Sequence, residues 1–132
     1  MATPLETVQK MYQAFGTGDM ETFFGYLHED VVWESRYPEG VPLGGSFQGH
    51  TGVGEFLGKL GTVLEMHDFA PVKMIGDDDT VFSAGYEVVT PKSTGKQYRN
   101  EWVHMFSFKD GKVTRVQTSN DAAAAEQAFK SE

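Results

Sequence analysis

The chain has 132 residues, 39% hydrophobic and 13% aromatic, with no cysteine and a formal charge of -8 from 11 basic and 19 acidic residues. That length suits a single domain over residues 1–132 with a core that needs no staples, and the lack of cysteine excludes disulfides, thiolate nucleophiles and cysteine-based metal sites. An acidic chain without a basic cluster argues against nucleic acid as a partner, and equally against an anionic membrane surface.

The elements follow in order. Thr3-Pro4-Leu5-Glu6 combines a capping box with proline at the first helical position, and Val8, Met11, Tyr12 and Phe15 recur on one helical face. The same N-terminal stretch lacks the basic and apolar regions of a signal peptide, and no apolar run reaches membrane-spanning length, so the expectation is a soluble, cytoplasmic protein. Gly16-Thr17-Gly18 stops the first helix, and Asp19 can cap a second carrying Met20, Phe23, Phe24 and Leu27. Val31, Val32 and Trp33 suit a strand, and the glycine- and proline-rich stretch after it reads as loop. A third helix from about Thr51 to Leu64 places Val53, Phe56, Leu57 and Leu60 on one face, though its glycines make it weak by propensity.

Strands dominate the rest. "DFAPVKMIG" meets a turn at Asp77-Asp78-Asp79, "TVFSAGYEVVTP" runs back, and "KSTGKQ" turns into "EWVHMFSFKDGKVTRVQTSND". A short helix, "DAAAAEQAF", ends the chain with Asn120 or Asp121 as its cap. Helices first and long antiparallel strands after predict an α+β fold, with the helices covering one face of a curved sheet.

Asp110-Gly111 predicts a two-residue type I′ hairpin. Counting outward, Phe108 faces Val113, Phe106 faces Arg115, His104 faces Gln117, Trp102 faces Ser119 and Asn100 faces Asp121, all on one side of the sheet. A single β-bulge would move Asp121 to the other side. This reading makes a pocket of the helix-covered face. Asp121 is the candidate base on a carbon acid, and His104 its partner or an oxyanion donor. Asn100, Tyr12, Tyr86 and Gln117 offer polar contacts; Trp33, Trp102, Phe15, Phe56 and Phe69 supply flat apolar walls. Asp121 reads equally well as a helix cap, and one residue can do both. Neither a metal nor another cofactor is expected, since the four histidines show no ligand spacing.

Three stretches carry a resemblance. "VQKMYQAFGTGDMETFFGYLHEDVVWES", "GGSFQGHTGVGEFLGKL" and "EWVHMFSFKDGKVTRVQTSNDAAAAEQAF" resemble SnoaL-like polyketide cyclases and ketosteroid-isomerase-like proteins of the nuclear transport factor two superfamily. The resemblance implies a cone-shaped barrel: a strongly bent antiparallel sheet wrapped around a cavity by the N-terminal helices. It also implies a homodimer through the outer sheet face. Cyclase-like members use an aspartate at the end of the last strand to abstract a proton α to a carbonyl, and Asp121 occupies that position; His104 matches a pocket histidine. The expected function is thus a cofactor-independent isomerase or cyclase acting on a hydrophobic small molecule. The alternatives are a non-catalytic binding protein for an apolar metabolite, and an interaction domain with a vestigial cavity.

Overall fold

The computed structural model describes residues 2–131. Helix α1 (Pro4–Thr17) starts at the predicted box: Glu6 N–H donates to the Thr3 hydroxyl at 3.1 Å, and Thr3 N–H to the Glu6 carboxylate at 2.9 Å. It ends at Gly18, which takes the left-handed conformation at φ 76° and closes the last turn. Asp19 caps the short α2 (Met20–Gly25) through Thr22 N–H. Strand β1 (Leu27–Ser35) follows. The stretch read as loop then hides a four-residue strand, β2 (Gly45–Gln48), which pairs with β1. Its mostly exposed edge position leaves no apolar alternation to see in the sequence. Helix α3 (Gly49–Val63) begins two residues before the expected start and buries Val53 and Phe56.

The long strands are β3 (Leu64–Gly76), β4 (Thr80–Pro91), β5 (Tyr98–Lys109) and β6 (Lys112–Ser119), and α4 (Ala122–Phe129) closes the chain. They form one curved, unclosed six-stranded sheet in the order β2-β1-β6-β5-β4-β3. Every neighbouring pair is antiparallel except β1 with β6, where the first strand lies parallel to the last. Register shifts in β3 at Met66–Asp68 and Pro71–Lys73 interrupt its pairing with β4, as bulges that bend a sheet do. At the second shift a Cβ on Gly85 would stand 2.2 Å from the Ala70 carbonyl oxygen and 2.7 Å from the Trp102 ring. Only glycine lets the bent strand and the indole close together there.

The hairpin keeps its turn and loses its expected register. Asp110 and Gly111 both have positive φ, 52° and 78°, as a type I′ turn requires. Lys109 pairs with Lys112 and Phe108 with Val113. Thr114 is then an extra residue, its hydroxyl bonded to the Ser107 carbonyl at 3.3 Å, and Ser107 faces Arg115. Beyond this bulge Phe106 pairs with Val116 and His104 with Thr118, not with Arg115 and Gln117. The shift turns Arg115 and Gln117 to the outer face, where both bond Glu34.

The inner face is layered as a result. Trp33, Val116, Phe106 and Val81 make one cross-strand row, and Ser35, Thr118, His104 and Ser83 the next. Trp102 opposite Gly85 follows, then Asn100 opposite Glu87. The main core gathers Val8, Met11, Phe23, Val31, Val53 and Phe106 between helices and sheet. Among the described residues no helix is long and apolar enough to cross a membrane.

Candidate functional site

A cavity opens between the inner sheet face and helices α1 and α3, with about 80 Å³ in which the centre of a water-sized sphere can move. Its walls are apolar: Met11 and Phe15 from α1, Phe56, Leu57 and Leu60 from α3, and Trp33, Phe69 and Phe106 from the sheet. The polar groups that reach it include Tyr12, Ser35, Tyr37, Glu87, His104, Thr118 and Asn120.

Glu87 is the carboxyl of this cavity, 7% exposed on the inward side of β4. Its Oε2 accepts one hydrogen bond from Asn100 Nδ2 at 2.9 Å. The fully buried Asn100 spends its other amide proton on Asn120 Oδ1 at 2.8 Å, while its Oδ1 accepts from the Asp121 backbone N–H at 2.9 Å. Burial raises the Glu87 pKa above the usual carboxylate value, and the Asn100 bond only partly offsets that. Around it the phenols of Tyr37 and Tyr98 are pushed up, first by burial and then by the negative charge of Glu87. They stay protonated and can only be donors or neutral acceptors.

His104 forms the second polar station. Its Nδ1 is hydrogen-bonded to the Tyr12 hydroxyl at 2.9 Å, and its ring stacks on Trp102 at 4.0 Å and 10°. Trp102 in turn stacks on Phe69 at 5.1 Å and 15°. Burial drives the His104 pKa down to about 3, so the ring is neutral throughout the physiological range. Tyr12 is driven upward by its own burial. Glu87 lies opposite Asn100 and Ser83 opposite His104, so the two stations stand four residues apart along β5. At the strand rise that is about 13 Å between backbone positions.

Of the residues expected at the site, Tyr12, Phe15, Trp33, Phe56 and His104 line the cavity together. Trp102 is 2% exposed and forms the floor beneath His104. Asn100 sits behind Glu87, without exposed surface. Asp121 caps α4, its Oδ1 accepting from Ala124 N–H at 3.0 Å. Two placements differ from the expectation. Gln117 faces outward because of the Thr114 bulge, and donates to Glu34 Oε1 at 3.1 Å. Tyr86 also faces outward, with the Arg99 guanidinium 3.8 Å above its ring. Strand parity decides that case: Tyr86 and Glu87 are neighbours, so only one can point inward. The sequence reading missed Glu87. Pairing "TVFSAGYEVV" against β5 would have found it, since Val81, Ser83 and Val89 share its alternation. Among the described residues no cluster of three or more histidine, aspartate or glutamate side chains is arranged to hold a metal.

An open, bent sheet with helices on its concave side and a lined cavity between them defines the cone-shaped, nuclear transport factor two-like class. Within it, this chain belongs to the SnoaL-like domain family, whose model matches residues 8–116. Among solved structures it is 34% identical to TerC, co-crystallized with polyporic acid, covering 94% of this chain and 95% of that one at a TM-score of 0.80. An NTF2-like protein of unknown function from Burkholderia pseudomallei is 27% identical over 98% of this chain and 99% of its own, with a TM-score of 0.85. An NTF2-like protein from Burkholderia thailandensis shares the fold at a TM-score of 0.90, with 21% identity over 98% and 99% of the two chains. Among curated proteins nothing matches the sequence. Two less similar structures that share the fold, at 18% and 20% identity, carry the names putative SnoaL-like polyketide cyclase, from Mesorhizobium loti, and putative isomerase, from Bacillus subtilis.

Proposed function

We propose that this chain is a cofactor-independent enzyme of isomerase or cyclase type that moves a proton α to the carbonyl of a hydrophobic ring compound, with Glu87 as the group that takes and returns it. The carrying observation is a buried carboxyl with a raised pKa facing an aromatic cavity. Asn100 fixes Oε2 and leaves the other oxygen for the substrate carbon. Tyr37, close enough to feel the charge of Glu87 and held protonated, donates to the oxygen that becomes negative as the proton leaves. His104 is too far along the strand to touch the same carbonyl and acts instead on the other end of the ring. With Tyr12 donating to Nδ1, its Nε2–H serves there as a neutral donor. Asp121, the base expected from the sequence, becomes a positioning residue that holds Asn100 through its backbone N–H. The small-molecule complex of TerC supports the choice of ligand class.

Exchange of the α-proton for solvent deuterium, followed by NMR over a panel of cyclic ketones, tests this reading. Glu87→Gln is expected to slow exchange by about 10²–10⁴-fold with an unchanged fold. Full exchange in that variant, together with loss in Asp121→Asn, would return the role to Asp121. A second reading, a binding protein for an apolar metabolite, draws on the same Asn100–Glu87 bond, which also satisfies a carboxyl that does no chemistry. It predicts tight binding and no exchange with any ketone.

A further inference from the structure

The inner face carries three hydroxyls, in line with His104, that the proposed proton transfer does not use. Ser35 on β1 pairs with Thr118 on β6, Thr118 with His104 on β5, and His104 with Ser83 on β4, so four polar side chains cross the sheet in one line. Ser35, Thr118 and His104 line the cavity; Ser83 is covered, beside the Tyr12 hydroxyl but outside hydrogen-bond geometry. Apolar groups flank the line: Trp33, Val116 and Phe106 on one side, Trp102 on the other.

Ser35 is 4% exposed and its Oγ has no hydrogen-bond partner among the described residues. Trp33, two residues before it on the same face, is 8% exposed, and its donor-only Nε1 is equally unpartnered. Each such group carries a desolvation cost that a partner would remove. Both belong to the wall of one cavity, and Nε1–H can be satisfied only by an acceptor. Neighbouring side chains in the row stand roughly 5 Å apart, the cross-strand spacing. Opposite, α3 offers carbon surface at Phe56, Leu57 and Leu60, and on α1 the Tyr12 hydroxyl is already bonded to His104.

We infer that Ser35, Thr118 and His104, with Trp33 Nε1, form a recognition row for one oxygen-bearing edge of a flat ring compound. The ligand class is a planar, uncharged molecule with at least two hydroxyl or carbonyl oxygens along one edge and a bare opposite edge against α3. Phenol-like hydroxyls are read by Ser35 and Thr118, which both give and take a hydrogen bond, and a carbonyl by Trp33. This deepens the proposed function and rests on it only in taking the cavity as the ligand site. Ser35 and Thr118 are specificity-determining residues, not catalytic ones.

Two probes of matched shape test the row: dihydroxynaphthalene and naphthalene, titrated against the fluorescence of the two tryptophans. The parent protein is expected to prefer the diol by about ten-fold or more. In the double variant Ser35→Ala, Thr118→Val the preference should collapse while naphthalene binds as before. The melting temperature should stay level or rise, since Ser35 is removed from a partnerless position. An undiminished preference in the variant overturns the inference, as does no preference in the parent. A variant melting several degrees lower would mean that the hydroxyls are structural, and would overturn it too. The diol preference without deuterium exchange at any ketone sinks only the enzymatic reading; exchange without the preference sinks only the row. No response to either probe counts against both.

Discussion

Asp121 and Glu87 meet at one asparagine, which accepts from the backbone of the first and donates to the side chain of the second. That arrangement separates their expected mutational signatures. Asp121→Ala removes the cap of α4 and should cost about 1 kcal/mol in chemical denaturation, with less than a ten-fold change in exchange rate. Glu87→Gln should do the reverse. Its folded pKa is raised, so its contribution to stability is full below the unfolded carboxyl value and is lost as pH rises through the folded one. Glu87→Gln is therefore expected to melt higher than the parent near pH 8, and to flatten the fall in melting temperature above pH ~5. His104 carries the opposite sign. Its pKa falls to about 3, so stability is full above the unfolded value near pH ~6.5 and is lost as pH falls between the two. Replacing it with Gln should flatten the acid limb of a melting-temperature profile and leave the alkaline side alone.

At the scale of elements, the helices and the hairpin turn were legible because local chemistry marks them. Thr3-Pro4-Leu5-Glu6 announces α1, Asp19 announces α2 and Asp110-Gly111 announces the turn. The Thr114 bulge has no such mark, and every pairing beyond it moved by one residue. A sign of it did stand in the sequence: an unbulged hairpin puts Arg115 on an otherwise apolar inner face. The candidate site suffered most from this. Its aromatic walls were readable, but its carboxyl was assigned to a strand end and not to β4, because inward parity along β4 follows from long-range pairing. The Gly85–Trp102 contact is legible only in three dimensions. Gly85→Ala should destabilise the protein by at least about 1–3 kcal/mol through overpacking, and should change the tryptophan fluorescence, both readable in one denaturant titration.

For the whole molecule, the convex face of the sheet leaves Val72, Ile75, Phe82 and Val103 between 45% and 70% exposed. Such a patch is a protein interface or a hazard. We propose that a second copy covers it; Val103→Lys should then shift the protein from dimer to monomer in analytical ultracentrifugation, with the melting temperature becoming independent of concentration. The parallel contact of β1 with β6 carries a further consequence, for synthesis. Ser35 meets Thr118, so one wall of the cavity joins a strand translated before α3 and the long hairpins to one translated after them. On the ribosome, both helical walls emerge while β1 still has an unpaired edge, and contacts of such wide separation close late. Until β6 arrives, that edge is free to pair with another nascent chain. Before β1 pairs with β6, the open edge is exposed to co-aggregation, and a small molecule that needs the finished cavity cannot cover it.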